Sequence, residues 1–180
     1  NNNDENLFKD QAENYIFDII KKTLDKLNLK FDSYFNENTL YENKKIYEII
    51  KKLKVKKLIY NKDEAVWFKA TAIGLQADRV LIKSTGEPTY RLPDIAYHVT
   101  KFERGFDLCV DVFGADHMDA FPDVLGALDQ LNLQSKNIKV LIHQFVSILD
   151  GDKVVKMSTR KGNFITLKKL IDEVGPDVVR

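Results

Sequence analysis

The sequence contains a single cysteine, Cys109, so it can build neither a disulfide framework nor a cysteine-rich metal site. That cysteine sits in the apolar run 106–113, where a buried, inert thiol fits better than a nucleophile. No apolar stretch approaches the ~20 residues of a membrane span, and residues 1–6 are polar and acidic, unlike a signal or transit peptide. Neither sign of charge is in excess. With 28 lysines and arginines against 27 acids and a formal charge of +1, global electrostatics make no case for nucleic-acid binding, and any RNA contact must be local. Repeats are lacking too. What is present, 180 residues of which 44% are hydrophobic and 11% aromatic, suffices for one core with a small appendage.

Apolar residues at Phe8, Ala12, Tyr15, Ile16, Ile19, Ile20, Leu24 and Leu27 recur at helical spacing and predict an amphipathic scaffold helix. Ile46, Ile49, Ile50 and Leu53 predict a second helix. Its lysines, Lys51, Lys52, Lys54, Lys56 and Lys57, alternate with core-facing residues as a solvated face would. Short strands are expected over 55–60 and 66–70. From Arg79 onward, strands and helices alternate in the manner of a parallel α/β sheet. A strand is expected over 80–83, and a helix from Pro93 to Arg104 closed by Gly105. A buried central strand over 108–113 precedes a helix over 118–131. A long strand over 138–149 should turn at Asp150-Gly151 and return over 153–157. His143, inside that strand, reads as a packed residue. Thr166 caps a last helix that Gly175-Pro176 ends.

Ligands of open parallel sheets collect at the carboxyl ends of strands. Three segments arrive at such places. Gly114-Ala115-Asp116-His117 joins a strand to a helix, so Gly114 permits close backbone approach while Asp116 and His117 can hydrogen-bond ribose hydroxyls. A plainer reading makes Asp116 a helix cap beside a surface histidine. Lys156-Met157-Ser158-Thr159-Arg160-Lys161-Gly162-Asn163 follows the hairpin, and its three cations suit a loop that closes over polyphosphate. The alternative is a solvated basic turn. Finally, Asp94 and Tyr90 lie four residues apart at the start of a helix. Together they offer a carboxylate and a phenol to one pocket, although Asp94 can also serve the helix dipole alone.

The order Lys156-Met157-Ser158-Thr159-Arg160-Lys161-Gly162-Asn163 resembles the lysine-methionine-serine-lysine-serine signature of class I aminoacyl-tRNA synthetases. Pro88-Thr89-Tyr90, Asp94-Ile95-Ala96-Tyr97-His98 and Phe113-Gly114-Ala115-Asp116-His117 stand before it. In content, order and spacing the whole set resembles the arginyl-tRNA synthetase family. Phe31-Asp32-Ser33-Tyr34-Phe35 is similar to its connecting region and Ala65-Val66-Trp67-Phe68 to the entry into the second catalytic half. The resemblance runs from about residue 10 to Arg180.

The resemblance implies a Rossmann-like α/β parallel sheet, the second half of a class I catalytic domain over 63–180, behind a helical connecting region over 1–62. It implies ATP and magnesium, L-arginine and tRNA(Arg) as partners, no membrane, a monomer, and a cytoplasmic or organellar home. Tyr90 and Asp94 would bind the substrate guanidinium. Gly114, Asp116 and His117 would face the ribose and the backbone near Val155 the adenine, with Lys156 and Met157 also binding the nucleotide. Lys156, Ser158 and Arg160 would act on the pyrophosphate. No metal-ligating residue is implied. Two departures stand out: Thr159 occupies the place of the signature's second lysine, and the first ATP motif, histidine-isoleucine-glycine-histidine, does not occur. The anticodon-binding domain is likewise missing, so the segment by itself is expected to be inactive. A cysteinyl-tRNA synthetase or a nucleotidylyltransferase could share the basic loop, and a non-catalytic module could bind arginine or ATP without turnover. Tyr90, Asp94 and the lack of zinc-ligand cysteines favour the arginine family.

Overall fold

A computed structural model describes residues 2–115, 118–144, 146–147, 149–150, 153–154 and 164–180. The chain divides into two compact units, Asn36–Val146 and a second composed of Asn1–Phe35 with Ser147–Arg180.

In the first unit, α2 (Asn38–Glu42) and α3 (Lys45–Val55) lead into an antiparallel sheet of β1 (Ile59–Lys62), β2 (Ala65–Phe68) and β3 (Arg79–Ile82), ordered β1-β2-β3. Ile46, Ile49 and Leu53 of α3 are buried while Lys51, Lys52, Lys54, Lys56 and Lys57 are exposed, as the spacing predicts. Each such buried leucine or isoleucine contributes about 1.5–3 kcal/mol. Val55 ends this helix rather than opening a strand, because Lys56 and Lys57 donate back to Lys52 and Lys54 carbonyls and close its last turn. Ala70 opens a 3-10 turn, so β2 stops at Phe68. The boundary between 62 and 63 falls within the β1–β2 hairpin, where Lys62 pairs with Ala65.

The strand expected over 80–83 forms as β3, but in this antiparallel sheet and not in the parallel one. Parallel pairing belongs to β4 (Cys109–Gly114) and β5 (Ile138–His143), which run in register from Cys109–Ile138 to Gly114–His143. Helices α4 (Arg91–Glu103) and α5 (Phe121–Gln130) precede and follow β4. Cys109 and Asp111 are buried, whereas Leu108, Val110, Val112 and Leu141 are exposed. The expectation of a strand buried throughout is thus met on one face only, since successive side chains point to opposite sides. Strand β5 ends at His143 instead of running to 149, and His143 is exposed, not packed. Its Nδ1 lies 3.0 Å from the adjacent Gln144 carbonyl, a purely local contact.

In the second unit, α1 (Asn2–Lys26) is longer than the periodic segment predicts. Thr23 and Leu27 are buried, but Phe8, Tyr15, Ile16, Ile19 and Ile20 of the apolar stripe are exposed. Strands β6 (Leu149–Asp150) and β7 (Lys153–Val154) pair antiparallel on either side of the expected turn. Helix α6 (Leu167–Val174) is capped by Thr166, whose hydroxyl accepts from the Lys169 amide at 3.1 Å, and α7 (Pro176–Val179) follows Gly175. Lys26 reaches Asp172 at 2.8 Å and ties α1 to α6. No helix among the described residues is long and apolar enough to cross a membrane.

Candidate functional site

The approach to α4 is fastened before the helix begins. The Thr89 hydroxyl donates to the Val80 carbonyl at 2.7 Å and the Thr89 amide to Leu81 at 2.8 Å, so residues 88–89 follow β3. Tyr90 then occupies the N-cap position, and the helix starts at Arg91, two residues ahead of Pro93. Proline is tolerated there because the first-turn amides have no intrahelical acceptor. Leu92, Pro93, Ile95 and Ala96 bury the inner face of this turn. The Asp94 amide donates to the Tyr90 carbonyl at 3.1 Å, which sets the two side chains one helical turn apart on a shared face. Tyr90 is 60% exposed and Asp94 half-buried. The structure therefore brings these two sequence candidates together.

Tyr90 borders two open cavities. One, of about 430 Å³, is shared with Trp67, Lys83 and Pro88. The other, of about 600 Å³, is shared with Gln76, Met118 and Asp119. Arg79 and Arg91 line both. Each donates its Nε hydrogen to the same oxygen, Oδ2 of Asp123, at 2.9 Å. Asp123 lies in the first turn of α5 and is 3% exposed. The Arg91 guanidinium also sits 4.9 Å from the Tyr90 ring centre, so a buried carboxylate steadies the cation that borders the exposed phenol.

A second buried carboxylate holds the far side of α4. Asp111 of β4 meets His98 Nε2 at 2.8 Å and the Lys101 ammonium. Burial alone would push its carboxyl up, but the hydrogen bonds from His98 and Lys101, with their charge, outweigh this and hold it below its ordinary range. Gly114 closes β4 at its carboxyl end, opposite His143 of β5. Asp116, His117, Val155, Lys156, Met157, Ser158 and Arg160 lie outside the described residues. Among the described residues there is no cluster of three or more histidine, cysteine or acidic side chains able to hold a metal ion.

Sequence reasoning missed the two carboxylates and their cations. An acid at 111 inside an apolar run did signal a buried partner, because an unpaired buried carboxylate is too costly to keep. For Asp123 no local signal existed, since an acid in a first helical turn ordinarily serves the dipole.

An antiparallel sheet leading into a helix that crosses to a parallel pair, with candidate ligand groups at the helix start and strand end, is the fold of a class I tRNA synthetase catalytic domain. Residues 1–177 match the profile of the family described as tRNA synthetases class I (R), catalytic domain, and the chain belongs to that family. It is 54% identical over 173 residues to an arginine–tRNA ligase of Desulfotalea psychrophila, covering 96% of this chain and 31% of the relative. The corresponding enzyme of Chlorobaculum tepidum is 53% identical over 179 residues, covering 97% and 32%. The chain thus spans about a third of the length of these curated relatives. A structure described as an arginyl-tRNA synthetase from Campylobacter jejuni superposes with a TM-score of 0.81 at 33% identity, over 94% of this chain and 37% of the other. An arginyl-tRNA synthetase from Plasmodium falciparum, at a TM-score of 0.62 and 17% identity over 75% of this chain and 23% of the other, shares the fold.

Proposed function

We propose that this chain is the second half of the ATP-binding catalytic domain of a longer arginine–tRNA ligase, with residues 1–62 as its helical connecting region and 63–180 as the catalytic half. In the first reaction the carboxylate of L-arginine attacks the α-phosphorus of ATP and pyrophosphate leaves. In the second, a hydroxyl of the terminal adenosine of tRNA(Arg) attacks the arginyl carbonyl and AMP leaves. The observation that carries the reading is the family match over residues 1–177. The shared helical face of Tyr90 and Asp94 supports a guanidinium-reading role for that pair.

Asp94 supplies the carboxylate for bidentate pairing and Tyr90 the phenol. Gly114, Asp116 and His117 approach the ribose and the backbone near Val155 the adenine, with Met157 also on the nucleotide. Lys156, Ser158 and Arg160 stabilise the charge that grows on the departing pyrophosphate. Magnesium supplies further charge neutralisation. On this reading the ion is carried by the ATP phosphates and water. A cytoplasmic monomer is part of the same proposal.

The test is arginine-dependent ATP–pyrophosphate exchange and tRNA(Arg) charging by the longer enzyme, with lysine as the control amino acid. Exchange that lysine supports as well as arginine would overturn the assignment. The 180-residue chain by itself is expected to give no exchange, because transition-state stabilisation by residues that act as a unit does not divide.

A further inference from the structure

His98 stands one turn after Asp94 on α4, and its ring is almost wholly enclosed, with Phe121 and Tyr97 packed edgewise at 5.8 and 6.0 Å. Nδ1 lies 2.7 Å from the main-chain carbonyl of Asp94, the oxygen to which the helical ladder also directs the His98 amide. Nε2 lies 2.8 Å from Asp111 Oδ2. A carbonyl oxygen only accepts, so Nδ1 carries a hydrogen. At its other nitrogen the ring shares the Asp111 carboxylate with the Lys101 ammonium, which lies 3.3 Å from Nε2.

Buried ion pairs add little net stability, because desolvation offsets most of the Coulombic gain. What the Asp111 cluster supplies is a fixed distance between α4 and β4. We propose that His98 is a positioning residue for amino-acid recognition: by bridging the Asp94 carbonyl to Asp111, it locks the first turn of α4, and with it the Asp94 carboxylate, against β4. The proposal rests on the reading that Asp94 receives the substrate guanidinium.

Two substitutions in the longer enzyme divide the bridge. His98→Asn keeps a donor near Nδ1 and abandons Asp111, whereas His98→Gln keeps a donor near Nε2 and abandons the Asp94 carbonyl. Each is expected to raise the KM for arginine about tenfold, the scale on which small misplacements act, while the KM for ATP stays within about twofold. A urea melt of each variant shows whether the fold is retained. If His98 were only structural, whichever variant keeps the wild-type melt would also keep the wild-type arginine KM, and that result would overturn the proposal. Nitrogen-15 spectra of histidine-labelled wild-type enzyme give a readout free of variants: a ring Nδ1 hydrogen protected from exchange with water is expected, and one that exchanges as fast as a solvent-exposed imidazole would sink the bridge. Loss of arginine dependence in the wild-type enzyme counts instead against the functional assignment. Normal exchange with an unshifted arginine KM in both variants counts against His98 alone.

Discussion

Arg91, in the first turn of α4, donates its Nε hydrogen at 2.9 Å to Oδ2 of Asp123, in the first turn of α5, and Arg79 of β3 donates to the same oxygen. One carboxylate thus pins two helices and a strand around the start of the candidate site. Asp123→Asn removes the charge and turns an amide donor toward two guanidinium donors. The expected loss is about 2–4 kcal/mol, reduced from the full cost of a broken buried pair because both arginines keep some contact with water. A shift of the urea midpoint corresponding to less than ~0.5 kcal/mol would show that the two arginines find other partners.

Asp111 makes the fold sensitive to acid. Its carboxyl is held below the ordinary value of 3.8, so its contribution is complete above that value and is lost as pH falls through the lower folded-state value. The groups facing it are the His98 ring and the Lys101 ammonium of α4, while α5 contributes the uncharged Phe121 beside the His98 ring. Asp111→Asn should be less stable than wild type at neutral pH, and the gap should narrow on acidification below about pH 4. Urea midpoints across that range for both proteins check this. A gap that stays constant would mean that the carboxylate is not what the cations stabilise.

Gly126 of α5 faces the 3-10 turn at Ala70–Ile73. A Cβ there would stand 2.9 Å from Ile73 Cδ1 and 3.0 Å from Leu75 Cδ1, both at the ends of flexible side chains. Gly126→Ala gains roughly 1 kcal/mol of helix propensity and should spend most of it on that displacement, leaving stability within ~1 kcal/mol of wild type. Gly126→Val cannot be accommodated by the same small movement and should cost about 1–3 kcal/mol. A stabilised valine variant would show that the helix and turn have room to separate.

Elements whose signals are local were legible in the sequence. The α3 stripe, the Tyr90–Asp94 turn, the Thr166 cap and the buried Cys109 all follow from spacing of a few residues. Relationships set by distant partners were not. Whether β3 joins the antiparallel or the parallel sheet depends on β2 and β4, not on residues 79–82 themselves. Periodicity showed which face of α1 is apolar but not whether anything covers it, and Phe8 and Tyr15 are exposed. The continuous β-prone run 138–149 carried no mark of the break after His143. Arg79 and Asp123 are 44 residues apart, a separation at which only the folded chain reveals the pair.

Asp94 carries the proposed choice of arginine over other amino acids. In the longer enzyme, Asp94→Asn preserves the size of the side chain but replaces one acceptor oxygen with a donor that confronts the donors of the guanidinium. Truncating one member of a desolvated charged pair costs roughly 2–5 kcal/mol. The kcat/KM for arginine should therefore fall about 30-fold or more on that scale. The KM for ATP should stay within a small factor, because the proposed role places the carboxylate in the amino-acid pocket. If Asp94 only complemented the dipole of α4, the pattern would differ: stability would fall by ~1 kcal/mol or less and both substrates would bind nearly as before. Steady-state kinetics in arginine and in ATP, beside a urea melt of the same variant, separate these outcomes. A folded Asp94→Asn enzyme with undiminished kcat/KM for arginine would place the guanidinium elsewhere. It would also leave Tyr90, 60% exposed beside Arg91, as the candidate reader on this helical turn.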